Sequence, residues 1–136
     1  MASRKLSDLH PDLQPLCEKF LDLADAQGIE VLITCTWRSG IEQASLYAQG
    51  RITKGRIVTN AKPGESKHNN LLNGNPASLA FDIVPMVNGK PMWDGEHPGW
   101  KQLGEIGRSL GLEWAGDWRG FKELPQCQLK LVEPTS

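Results

Sequence analysis

Apolar positions near the start of the chain recur at helical spacing: Leu13, Leu16, Cys17, Phe20, Leu21 and Ala24 form one stripe. The pattern predicts a helix with Pro11 in its first turn and Gly28 as its stop. The short, β-branched run IEVLITCTW then reads as a buried strand. SGIEQASLYAQG returns to helical spacing, opened by the capping pair Ser39 and Glu42 and ended by Gly50. From Arg51 to Ser78 no period holds, although IVT has the composition of a short strand. So long an aperiodic stretch in a small domain is usually functional or disordered. Alternation resumes in LAFDIVP, where Leu79, Phe81 and Ile83 point one way and Ala80, Asp82 and Val84 the other. Asn88-Gly89 marks a tight hairpin. Pro98 to Leu110 predicts a third helix, with Trp100, Leu103, Ile106 and Leu110 inward and Gly111 at its end, and LEW and CQLKLVE read as closing strands. This order predicts an α+β fold: a small single domain over residues 1–136, core about 7–132, with three helices packed on a mostly antiparallel sheet.

Composition narrows the function classes. The chain has 136 residues, 39% of them hydrophobic, enough for one folded core. Its formal net charge of −1 and the lack of a basic run argue against nucleic-acid binding. No apolar stretch approaches the ~20 residues of a membrane span, so no membrane anchor is expected. The first residues, MASRKLSDLHPDLQ, lack the apolar centre of a secretory signal. Three cysteines without CxxC spacing are not a disulfide framework, and Cys17 and Cys35 read as core residues.

The candidate chemistry lies between Glu65 and Pro85. His68 sits in a polar, turn-rich segment and Asp82 in the strand that follows. One reading is a solvated loop leading into an edge strand. The other is two ligands of one metal, since zinc in hydrolases takes three protein ligands, usually histidine and carboxylate, and leaves a position for water. His10 and His97 each precede a proline at a helix start and read as capping or exposed residues. Glu123, in GDWRGFKELPQCQL, is either a surface charge or a general base beside a cleft. Arg38, at a strand-to-helix junction, suits a salt bridge or the binding of a carboxylate or oxyanion. Trp93, Trp114 and Trp118 are candidates for the core or for flat walls against a peptide or sugar.

Four stretches carry a family resemblance: TWRSGIEQASLYAQGR, VTNAKPGESKHN, NPASLAFDIVP and GDWRGFKELPQCQL. Together they resemble the small L-alanyl-D-glutamate endopeptidases of bacteriophages, which belong with the D-alanyl-D-alanine carboxypeptidase and dipeptidase group of zinc peptidases. The resemblance runs from about residue 7 to residue 132. It implies a D-alanyl-D-alanine peptidase-like fold, with His68 and Asp82 as zinc ligands and Glu123 as the catalytic acid and base. Arg38 becomes the residue that holds substrate or the developing oxyanion, and Ser66, Gln43, Asp117 and Trp118 line the site. It also implies that peptidoglycan stem peptide is the substrate and that the protein is a monomer. The enzyme is expected to be made in a host cytoplasm and to reach the periplasm or wall through a pore-forming partner.

This chain departs from the pattern at one position. The family has histidine where Gln126 stands, so zinc is expected to bind weakly or not at all, and activity to be impaired. A natural variant and an engineered, inactivated form are both compatible with Gln126. Cys127 is a third candidate ligand, disfavoured because neighbouring residues on a strand face opposite ways. The rival functions are a D-alanyl-D-alanine carboxypeptidase or dipeptidase and a non-catalytic peptidoglycan-binding relic.

Overall fold

The computed structural model describes residues 2–130. Three helices, α1 (Gln14–Ala26), α2 (Gly40–Ala48) and α3 (Pro98–Ser109), accompany seven short strands: β1 (Glu30–Cys35), β2 (Leu71–Leu72), β3 (Asn75–Pro76), β4 (Ala80–Val87), β5 (Lys90–Pro91), β6 (Leu112–Trp114) and β7 (Gln126–Leu129). The main sheet has the order β1-β4-β7-β6, with β5 paired to β4, and every ladder in it is antiparallel. The predicted architecture is therefore the observed one.

Several boundaries differ from the pattern-based expectation. Pro11 lies in a turn before α1, and the proline in the first helical turn is Pro15. IVT forms no strand; the aperiodic stretch instead holds the small β2–β3 hairpin, a two-stranded sheet of its own, whose turn is Asn73-Gly74 with φ of 53° and 79°. That dipeptide is a hairpin signal of the same kind as Asn88-Gly89, which does join β4 to β5. The last strand begins at Gln126 rather than Cys127, and the end of CQLKLVE lies outside the described residues.

β4 is a central strand, not the edge strand of the solvated-loop reading. It carries β1 on one side and β7 on the other, and Ala80, Phe81, Ile83 and Val84 are all fully buried. Its two faces meet different surroundings. Phe81 and Ile83 join Leu13, Cys17, Phe20, Leu103, Ile106, Leu112, Trp114 and Cys127 in the core beneath α1 and α3. Asp82 lies on the other face, opposite Gln126 in the ladder, with Ala80 opposite Gln128. In β1 the register slips between Ile33 and Cys35, so one extra residue bulges out and Cys35 comes to lie opposite Asp82. A bulge of this kind re-aims a side chain, and here it brings Cys35 to the polar face that the strand's alternation denied it.

Trp114 ties the core to the segment that follows. Its ring is clasped between Gly104 of α3 and Gly116, where an added Cβ would stand 2.3 Å from a ring atom in each case. Its indole Nε1 donates to the Leu124 carbonyl at 2.8 Å. Gly104→Ala should gain about 1 kcal/mol of helix propensity and lose more, since overpacking costs about 1–3 kcal/mol and the ring has a wall on its far side. The expected net effect is a lower midpoint in urea with an unchanged slope.

Candidate metal centre and cleft

His68 occupies a single 3-10 turn, Lys67–Asn69, whose preceding residue Ser66 accepts a hydrogen bond from the His68 backbone N–H at 3.2 Å. The turn is fastened to the β1–α2 junction by several bonds. Arg38 N donates to His68 O (2.9 Å), Asn69 Nδ2 to Arg38 O (2.8 Å) and Trp37 Nε1 to Asn70 O (3.0 Å). The His68 ring is 1% exposed. Nδ1 lies 2.7 Å from the Thr36 carbonyl and Nε2 lies 3.0 Å from Asp82 Oδ1. The loop histidine and the strand carboxylate therefore meet.

Arg38 completes this corner. Its Nη2 is 3.6 Å from Asp82 Oδ2, and its Nη1 donates to Gln43 Oε1 at 2.9 Å. Gln43, fully buried on α2, donates in turn to the Ala61 carbonyl at 2.8 Å. One amide thus aims the guanidinium and holds the long aperiodic loop beside it. Cys35 lies under the same corner, its Sγ 3.6 Å from both His68 Nδ1 and Arg38 Nη2. Cys35, His68 and Asp82 offer ligand atoms within 4.8 Å of one another.

Gln126 is opposite Asp82 but its amide is engaged along its own strand. Nε2 donates to Gln128 Oε1 at 2.6 Å, Gln128 Nε2 donates to Glu113 Oε2 at 2.9 Å, and Trp118 Nε1 donates to Glu113 Oε1 at 2.9 Å. These bonds, led by the one from Gln128, hold the Glu113 carboxyl below the usual range. Glu113 escaped the sequence reading because nothing in LEW marks its carboxylate as a partner of Gln128. Cys127 faces the core, fully buried, and burial pushes its thiol up to about 12, so it offers no thiolate at the cleft.

The donor set fits a zinc ion in part. Two ligands of a tetrahedral zinc at about 2 Å stand roughly 3.3 Å apart, close to the 3.0 Å between His68 Nε2 and Asp82 Oδ1. The Thr36 carbonyl takes the Nδ1 proton and so leaves Nε2 as the ligand atom. Position 126 has only a neutral amide oxygen to give, a poor zinc donor beside imidazole, and the remaining donor of the cluster is Cys35 Sγ, which lies on the Nδ1 side of the His68 ring.

Glu123 and Gln126 stand on the divide between two adjoining hollows of about 500 and 400 Å³. Ser66 and Trp118 line the larger, and Arg38 lines both. Asp117 turns away to pair with Arg108 (2.8 Å) and is absent from both walls. Trp114 is a core residue, and His97 caps α3, its ring accepting from Gly99 N. Glu123 is partly buried in the loop before β7, and its carboxyl is raised above the ordinary range. Burial is the main cause and the Asp82 charge adds to it, against the opposing pull of His68 and Arg38.

Both His68 ring nitrogens face acceptors. Burial alone would disfavour the charged ring, but the charge and hydrogen bond of Asp82 outweigh it and push the imidazole up to about 10. Held in its protonated form by this environment, the ring can offer Nε2 to a cation only after a proton leaves. Zinc uptake near pH 7 should release about one proton per ion, and affinity should rise with pH through the neutral range. Calorimetry in buffers of differing ionisation enthalpy measures both; uptake without proton release would mean that His68 is already neutral.

Residues 6–90 match the family described as VanY, D-alanyl-D-alanine carboxypeptidase. The chain is 40% identical over 131 residues to the peptidoglycan L-alanyl-D-glutamate endopeptidase CwlK of Bacillus subtilis (strain 168), covering 90% of this chain and 74% of that protein. It is 31% identical over 126 residues to the L-alanyl-D-glutamate peptidase of Listeria phage A118, covering 91% of this chain and 38% of that one. Its fold is similar to that of the L-Ala D-Glu endopeptidase ChiX of Serratia marcescens, with a TM-score of 0.64 at 22% identity over 96% of this chain and 89% of the other.

Proposed function

The chain belongs to the VanY family of D-alanyl-D-alanine carboxypeptidase-like peptidases, and from that premise we propose that it is a peptidoglycan metallopeptidase cutting the L-alanyl-D-glutamate bond of the stem peptide, impaired by Gln126. The observation that carries this reading is the meeting of His68 Nε2 and Asp82 Oδ1 at 3.0 Å on the wall of a cleft that also holds Arg38 and Glu123.

His68 and Asp82 would hold the zinc ion, with the Gln126 amide oxygen as a weak third donor. The chemistry that zinc supplies in such a site is polarisation of an amide carbonyl and a lowered pKa for water. Glu123 takes the proton of the attacking water on its carboxylate and returns it to the leaving amine nitrogen. Its raised pKa suits it to hold that proton between the two steps. Arg38, aimed by Gln43, sets positive charge beside the carbonyl oxygen as negative charge grows there. The cationic Arg38 and the polar hollow around Ser66 orient the peptide on either side of the bond.

A second reading has its own support. Gln126 leaves the set one imidazole short, which also suits a peptidoglycan-binding protein without catalysis. Digestion of purified wall material, with and without added zinc, tests both. New alanine carboxyl ends paired with new glutamate amino ends support the endopeptidase. Release of terminal D-alanine would instead mark a D-alanyl-D-alanine carboxypeptidase. Binding without turnover at any zinc level marks the relic. We further infer a monomer that reaches the wall from a host cytoplasm through a pore-forming partner. No helix among the described residues is long and apolar enough to cross a membrane.

A further inference from the structure

The two hollows that share Arg38, Glu123 and Gln126 differ in character. The larger is the more polar, with Asn60, Glu65, Ser66, Lys67 and Arg119 beside Trp118 and Phe121 in its lining, and Arg119 has no ion-pair partner among the described residues. The smaller is walled by Leu46, Val58, Trp93, Trp100, Leu124 and Pro125. Trp93 is 59% exposed, an unusual state for the largest apolar side chain, and its ring is seated on that of Trp100 at 6.1 Å with a tilt of 34°. Trp100 is 2% exposed, yet its indole Nε1 has no hydrogen-bond partner among the described residues. A buried N–H without an acceptor is costly and rare in native proteins. This wall therefore combines an open aromatic face with a donor that lacks an acceptor.

We propose that the apolar hollow is the subsite for the amino-terminal, sugar-bearing side of the scissile bond. Trp93 takes the apolar face of an N-acylated sugar, and repositioning of that exposed ring gives the Trp100 N–H an amide carbonyl as acceptor. The inference rests on the endopeptidase reading, in which the amino-terminal side is alanine attached to an N-acetylated sugar acid. The D-glutamate side, with its carboxylates, then runs into the polar hollow towards Arg119. The cleft is thereby directional: one half reads an apolar, neutral glycan face and the other an anionic peptide.

Binding measured by tryptophan fluorescence on the chain as it stands tests this. The probes are N-acetylmuramyl-L-alanine, N-acetyl-L-alanine and a sugar-free L-alanyl-γ-D-glutamyl peptide. The muramyl compound should bind about three- to tenfold more tightly than its sugar-free counterpart. Trp93→Ala, a change at an exposed position, should erase that difference and leave the γ-D-glutamyl peptide unaffected, whereas Arg119→Ala should weaken the peptide and leave the sugar preference intact. Calorimetry replaces fluorescence for the Trp93 variant. Should the peptide bind while the sugar adds nothing, or should Trp93→Ala keep the preference, the subsite assignment is overturned and the peptidase reading stands. Should none of the three bind, the peptidase reading fails and takes the subsite with it.

Discussion

Gln126→His raises zinc affinity by about a hundredfold or more and wall-lytic activity with it. The magnitude follows from the worth of one good donor: structural zinc sites bind with about 10–16 kcal/mol over four ligands, so each contributes roughly 3 kcal/mol, or about two decades in Kd. The position is prepared for the change. Position 126 lies opposite Asp82 in the ladder, so an imidazole there is delivered to the face where His68 Nε2 already waits. Gln128 Oε1, which now accepts from the Gln126 amide, remains as an acceptor for the second ring N–H, and Glu113 holds Gln128 in place. Such outer partners fix the tautomer and orientation of a ligating histidine. Metal content after dialysis against limited zinc, together with the rate of turbidity loss on wall suspensions, measures the outcome. Equal metal content and equal lysis in both forms would remove Gln126 from the metal site.

Glu123→Gln, made in the Gln126→His chain so that there is activity to lose, lowers turnover by about 10²–10⁴ while leaving metal content unchanged. The amide keeps the shape of the carboxyl and removes its capacity to take a proton. The Gln126→His chain also carries a pH signature. Because burial and Asp82 raise the Glu123 carboxyl, its working anionic form is lost at a higher pH than for an ordinary carboxylate. At saturating zinc the acid limb of kcat/KM therefore lies above the usual carboxylate range, with activity falling as pH drops through it. A variant that kept full turnover, or a Glu123→Gln chain that kept the acid limb, would assign the proton transfers to another group.

Much of this fold was legible because its elements announce themselves locally. The α3 stripe of Trp100, Leu103 and Ile106 and the Asn88-Gly89 turn are short-range signals, and the structure follows them. Asp82 was visible as a carboxylate in an apolar alternation, yet the same alternation was compatible with an edge strand. Only pairing on both sides makes β4 central, and pairing partners are not written in a strand's own residues. Cys35 is buried as expected, yet it lies on the face of Asp82 for a related reason. Its phase in β1 points to the core, and the bulge that reverses it arises from the register with β4. Gln43 was recognised through resemblance, while its work, holding Arg38 and the Ala61 carbonyl at once, depends on a loop with no period to read. Nothing in the residue order indicated that Glu113 would anchor Gln128 and Trp118.

The bonds between residues 36–38 and 68–70 have an implication for altering this protein. Arg38, His68 and the carbonyl that sets the histidine's tautomer form a single mechanical piece, seated against Asp82. Trp93, Arg119 and Phe121 lie on separate stretches of chain at the mouth of the cleft. Substitutions at Trp93, Arg119 and Phe121 that keep Glu123 in place should retarget the molecule to other wall architectures, whereas any insertion within 36–38 or 68–70 should disable every substrate alike.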